Sequence, residues 1–123
     1  MKSKHIFIEQ FVKPCITRQR GKEAFSRLQE YLMETPVEID FSNCEVVSLS
    51  FLDELVSQIC QSSELNKVIF RVPNPLIEDK LARISGFRNV SIFCRTNNKA
   101  VYEVTPQLPV LEKATFVSDK VLL

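Results

Sequence analysis

Five carboxylates, Glu38, Asp40, Glu45, Asp53 and Glu54, crowd one part of this chain. Any two that converged could act as general acid and base. For Asp40 with Asp53 or Glu54, that would mean carboxylate-based hydrolytic chemistry. Ser48 and Ser50 fall in the same stretch, within CEVVSLSFLDELVSQIC (44–60), where an extended apolar pattern turns into a helical one. Hydroxyls at such a join either cap the helix or receive a phosphate. His5 is the single histidine, so a Ser–His or Cys–His nucleophile would depend on that one residue near the N-terminus.

Other chemistries lack their residues. Gly21 and Gly86 are the only glycines, so neither a dinucleotide fingerprint nor a Walker loop can be assembled. The cysteines, Cys15, Cys44, Cys60 and Cys94, contain no C-x-x-C pair. Their spacing gives zinc no local support, and they read as small buried apolar residues. The carboxylates have a bland explanation too. Glu38 and Asp40 occupy the polar phase of a strand, and Asp53 and Glu54 sit near a helix start, where the dipole favours negative charge. The expectation is no enzyme activity, no metal and no cofactor.

The net charge of +1, with 45% hydrophobic and 25% charged residues, describes one globular domain. Lys13, Arg18, Arg20, Lys22 and Arg27 crowd the N-terminal third. They lack interleaved aromatics, so a wet helix face is expected, not a nucleic-acid site built on Arg18, Arg20 and Lys22. No apolar run approaches the ~20 residues that span a bilayer, and Glu9 and Gln10 interrupt any signal-peptide core. A cytoplasmic protein without membrane contact is expected.

The elements that must position these residues follow from periodicity. HIFIEQFV (5–12) reads as a strand closed by Pro14. Ala24, Phe25, Leu28, Tyr31 and Leu32 recur at helical spacing, with Gly21 weakening the first turn and Pro36 ending the helix. VEIDF (37–41) alternates, its apolar residues facing one way and Glu38 and Asp40 the other. Phe51, Leu52, Leu55, Val56, Ile59 and Cys60 form the buried side of a second helix, with Asp53, Glu54 and Ser57 opposite. KVIFRV (67–72) reads as a strand covered on both faces. Asn74-Pro75 opens a third helix whose apolar side is Leu76, Ile77, Leu81 and Ile84 and whose stop is Gly86. VSIFCR (90–95) is another strand, and AVYEV could add one at the edge. This β-α-β-α-β-α-β order predicts an α/β fold with a mixed, largely parallel sheet over residues 1–105, then a C-terminal tail at 106–123.

The stretch VEIDFSNCEVVSLSFLDEL resembles the centre of STAS domains, the sulphate-transporter and anti-sigma-factor-antagonist family. IDF at 39–41 followed by SFLDEL at 50–55 is similar to a bacterial STAS-like group of unknown function, as is TRQRGKEAFSRL upstream. The resemblance spans roughly residues 5–95. It implies a STAS-like fold and a regulatory, protein-binding module without an active site, partnered with a histidine-kinase-type ATPase that phosphorylates a serine at the helix start. Some STAS domains are associated with nucleotides or other small ligands, which gives a second reading. The family's usual Asp-Ser-Ser-Gly turn is replaced here by Ser48, Leu49, Ser50 and Phe51, and its phosphoserine position falls on Leu49. Ser50 with Asp53 three residues on forms a cap arrangement, which makes capping the leading role for Ser48 and Ser50 and phosphorylation the second. Asp53 and Glu54 would repel an added phosphate. The expected partner surface is an exposed acidic and hydroxyl-rich patch of Glu45, Ser48, Ser50, Asp53 and Glu54, suited to a basic groove.

Overall fold

The computed structural model describes residues 3–106. The expected tail, apart from its first residue, lies outside them. The order is β1 (Lys4–Phe7), α1 (Arg18–Leu32), β2 (Val37–Asp40), α2 (Leu49–Gln61), β3 (Val68–Arg71), α3 (Pro75–Arg88), β4 (Ile92–Arg95) and β5 (Tyr102–Val104). Short 3-10 turns occupy Ile8–Gln10 and Leu65–Lys67. The sheet runs β1-β2-β3-β4-β5, with the first four strands parallel and β5 antiparallel at the edge. This is the expected α/β architecture with a mixed, mostly parallel sheet.

Each strand lies beside the next in sequence, so each crossover steps the same way across the sheet. Crossovers of one hand stepping one way place all their helices on one face. On that face Val37, Ile39, Val68, Phe70, Ile92 and Cys94 are sealed. They meet Phe25, Leu28 and Leu32 of α1, the Phe51–Ile59 stripe of α2, and Ile77, Leu81 and Ile84 of α3 within one apolar core. Among the described residues the opposite face carries no helix. Among the described residues β3 therefore lacks the two-sided cover expected: Val68 and Phe70 are buried, while Ile69 and Arg71 are half-buried.

Local chemistry sets the helix ends. Thr17 caps α1 by accepting the Arg20 N–H at 3.1 Å. Asn74 caps α3 by accepting the Ile77 N–H at 3.1 Å, with Pro75 in the first turn. Helix α3 runs through Gly86 and stops at Asn89, whose φ of 56° puts it in the left-handed region and whose N–H returns to the Ser85 carbonyl. Asparagine tolerates this conformation better than most residues do. Leu76, assigned to the apolar side, is 71% exposed. Gly21 has a packing role beyond its cost to the helix. A Cβ there would lie 2.8 Å from the Phe51 carbonyl oxygen and 3.0 Å from Glu54 Cβ, so the glycine allows α1 and α2 to approach closely.

Candidate functional site

The β2–α2 turn is where the candidate residues meet. Ser48, not Ser50, is the N-cap of α2: it has extended backbone angles, and its Oγ accepts the Phe51 N–H at 3.0 Å. The cap arrangement expected at Ser50 with Asp53 is displaced by two residues, because the helix already starts at Leu49. The Ser48 hydroxyl also donates to the Ile16 carbonyl, and its N–H donates to the Cys15 carbonyl at 3.0 Å. Cys15 and Val47 form an isolated parallel bridge, and Lys80 of α3 donates to the Val47 carbonyl at 2.7 Å. The loop after β1 and helix α3 thus pin this turn from two directions. Its tip stays outward: Glu45 and Ser50 are exposed, and Val46 is 60% exposed.

The acids of α2 behave differently from the expected patch. Asp53 is only 9% exposed. Arg88 grips it with two bonds, Nε to Oδ1 at 2.7 Å and Nη2 to Oδ2 at 2.9 Å, and Arg18 Nη1 reaches Oδ2 at 2.9 Å. Hydrogen bonding from Arg88 holds its carboxyl below the usual carboxylate range; burial opposes this, and Arg18 adds to it. Glu54, half-buried, faces Arg18 at 3.5 Å and accepts from Gln58 at 2.7 Å. Asp53 therefore leaves the solvent-facing set, since α1 and α3 close over it from both sides. Ser57, placed on the wet side by periodicity, is buried as well. The basic cluster is also partly spent, because Arg18 pairs with Asp53 and Arg20 with Glu23 at 2.8 Å.

Glu38 and Asp40 project from the helix-free face, yet are only 7% and 3% exposed. Long neighbours arch over them. Arg71 Nη1 bonds Glu38 at 3.0 Å, and its Nε stands 3.6 Å from Asp40. Arg95 Nε lies 3.3 Å from Glu38, an ion pair without hydrogen-bond alignment. His5 Nε2 meets Asp40 Oδ2 at 2.7 Å. Burial pushes Asp40 upward, but the hydroxyl and N–H of Ser42 together with His5 outweigh it and keep the carboxyl below its ordinary range. The His5–Asp40 contact joins residues 35 apart, which periodicity could not foresee. Asp40 faces away from the helices and Asp53 sits among them, so the proposed carboxylate pair does not converge.

Beside the turn, a depression of about 560 Å³ opens among Glu9, Lys13, Ile16, Asn43, Glu45 and Val46. It lies just past the carboxyl ends of β1 and β2, the position where open α/β sheets take ligands. Among the described residues no group of three or more His, Cys, Asp and Glu side chains could hold a metal ion, and no helix is long and apolar enough to cross a membrane.

No curated protein and no solved structure matches this chain significantly. Residues 21–72, running from the first turn of α1 through β2 and α2 to just past β3, match the family model of a STAS-like domain of unknown function (DUF4325).

Proposed function

We propose that this STAS-like chain is a non-enzymatic, cytoplasmic regulatory module that binds a protein partner on the surface around the α2 N-terminus. The observation that carries this reading is the pinned turn: Glu45, Val46 and Ser50 project from a backbone already fixed by Cys15, Ile16 and Lys80. A surface ordered in advance loses little further entropy on docking. The STAS likeness supports a histidine-kinase-type ATPase as that partner.

Ser50 is the better phosphate acceptor of the two serines. Ser48 is committed to its cap, whereas Ser50 is exposed in the first turn of α2. Unpaired N–H groups and the helix dipole there favour an anion. The repulsion expected from Asp53 is blunted, because Arg88 and Arg18 already balance its charge.

The test is binding of the purified chain to histidine-kinase-type ATPases from its own genome, with ATP added. Glu45→Lys and Val46→Glu are expected to weaken binding about tenfold or more, the mark of a central contact. Phosphate should appear on Ser50 and vanish in Ser50→Ala. Full binding by both surface variants, or no ATPase bound at all, would overturn the reading. The 560 Å³ depression favours a second reading, a small-ligand or nucleotide sensor, since ligand sites span about 300–1,000 Å³. It predicts a nucleotide-dependent rise in the melting midpoint that Lys13→Glu removes.

A further inference from the structure

Cys15 and Cys44 stand 29 residues apart in sequence, yet their sulfurs are 4.0 Å apart. Cys15 ends the loop after β1 and is 2% exposed, whereas Cys44 sits in the loop after β2 and is partly open. Both loops belong to the pinned turn, because Cys15 bridges Val47 and accepts the Ser48 N–H. The other two cysteines differ. Cys94 is sealed in the core, where burial pushes its thiol up to about 12, and Cys60 is raised by burial on α2.

We propose that Cys15 and Cys44 are a redox-active dithiol that closes into an intramolecular disulfide on reaction with a low-molecular-weight disulfide. The sulfurs have to close from 4.0 Å to the ~2.05 Å of an S–S bond. The partly open Cys44 sulfur attacks the small disulfide as a thiolate, forming a mixed disulfide and releasing one small thiolate. Cys15 then attacks Cys44 and releases the second. The protein loses two protons and two electrons, and one small disulfide becomes two thiols.

The sulfur–sulfur hydrogen bond prepares this reaction. The Cys44 S–H holds the Cys15 thiol below its ordinary range against burial and Glu9, while Cys44 is correspondingly raised. Either sulfur can be the donor in this contact, so a proton passed across it can leave the charge on Cys44 as well as on Cys15. The new bond would join the β1–α1 loop to the β2–α2 loop. It would close the span from residue 15 to residue 44, which contains α1 and β2. The bond forms or fails to form whatever docks on the α2 turn.

The experiment equilibrates the full chain in oxidised and reduced glutathione, quenches with acid and an alkylating agent, and maps peptides by mass spectrometry. The expected result is a linked 15–44 peptide, loss of two of the four free thiols, and a melting midpoint several degrees higher on oxidation. Cys44→Ser and Cys15→Ala should each abolish the linked species, while Cys60→Ser leaves it intact. Native chain that keeps four free thiols at ratios linking 15 to 44 in the urea-unfolded chain would overturn the proposal. So would a persistent glutathione adduct on Cys44, or a linkage through Cys60 instead.

Discussion

Replacing Asp53 with asparagine keeps the side chain's shape and removes its charge from between Arg88 and Arg18. Breaking a fully buried pair costs roughly 3–5 kcal/mol. Here the carboxylate side chain is 12% exposed but Arg88 is 36% exposed, so the orphaned guanidinium can turn to water. That relief lowers the expected loss to about 1–3 kcal/mol. At ~2.1 cal/mol/K of unfolding entropy per residue over about a hundred ordered residues, a 2 kcal/mol loss moves the midpoint by ~9 °C. The pH dependence separates charge from shape. Asp53 has a folded pKa below its unfolded one, so its stabilisation is complete above the unfolded value of ~3.9. It is lost as pH falls through the folded pKa. Urea denaturation from pH 7 down to pH 2 should therefore show a wide gap between wild type and Asp53→Asn at neutral pH, narrowing below pH 4. A gap that stays constant into acid, or none at pH 7, would refute the charge-pair account. A double-mutant cycle with Arg88→Met should return a coupling energy well above the 0–1 kcal/mol of exposed pairs.

Glycine-to-alanine changes should have opposite signs at the two glycines. Gly21→Ala drives a methyl against the Phe51 carbonyl and should cost about 1–3 kcal/mol in urea, whereas Gly86→Ala meets nothing within 4 Å and should stabilise by up to ~1 kcal/mol. Ser48→Ala should lose about 1 kcal/mol of stability, and Ser50→Ala should stay within ~0.5 kcal/mol in the same assay. Asn89→Gly should fold at least as stably as wild type, while Asn89→Val should melt several degrees lower, because a β-branched residue resists the left-handed geometry at φ 56°.

Sequence alone determined the alternation of elements and most of the core. The i, i+3, i+4 stripe Phe51–Leu52–Leu55–Val56–Ile59 can bury itself only as a helix on an apolar sheet, and all five are sealed. The chemistry of Asn74-Pro75 placed the α3 start, because a capping oxygen and a residue lacking N–H suit that one position. Periodicity also gave the phase of Glu38, Asp40 and Asp53, all on the polar side of their elements. Phase records direction and not what waits there. Tertiary structure decided that Arg71 and Arg95 would cover Glu38, and that α1 and α3 would bring Arg18 and Arg88 onto Asp53. It also decided that Gly21 would be a contact point and that Cys15 would meet Cys44. These pairings join residues from 29 positions apart, for Cys15 and Cys44, to 57 apart, for Glu38 and Arg95. Local propensity sees only one turn of a helix or one strand, so such meetings become fixed only when the crossovers stack three helices on one face of the sheet.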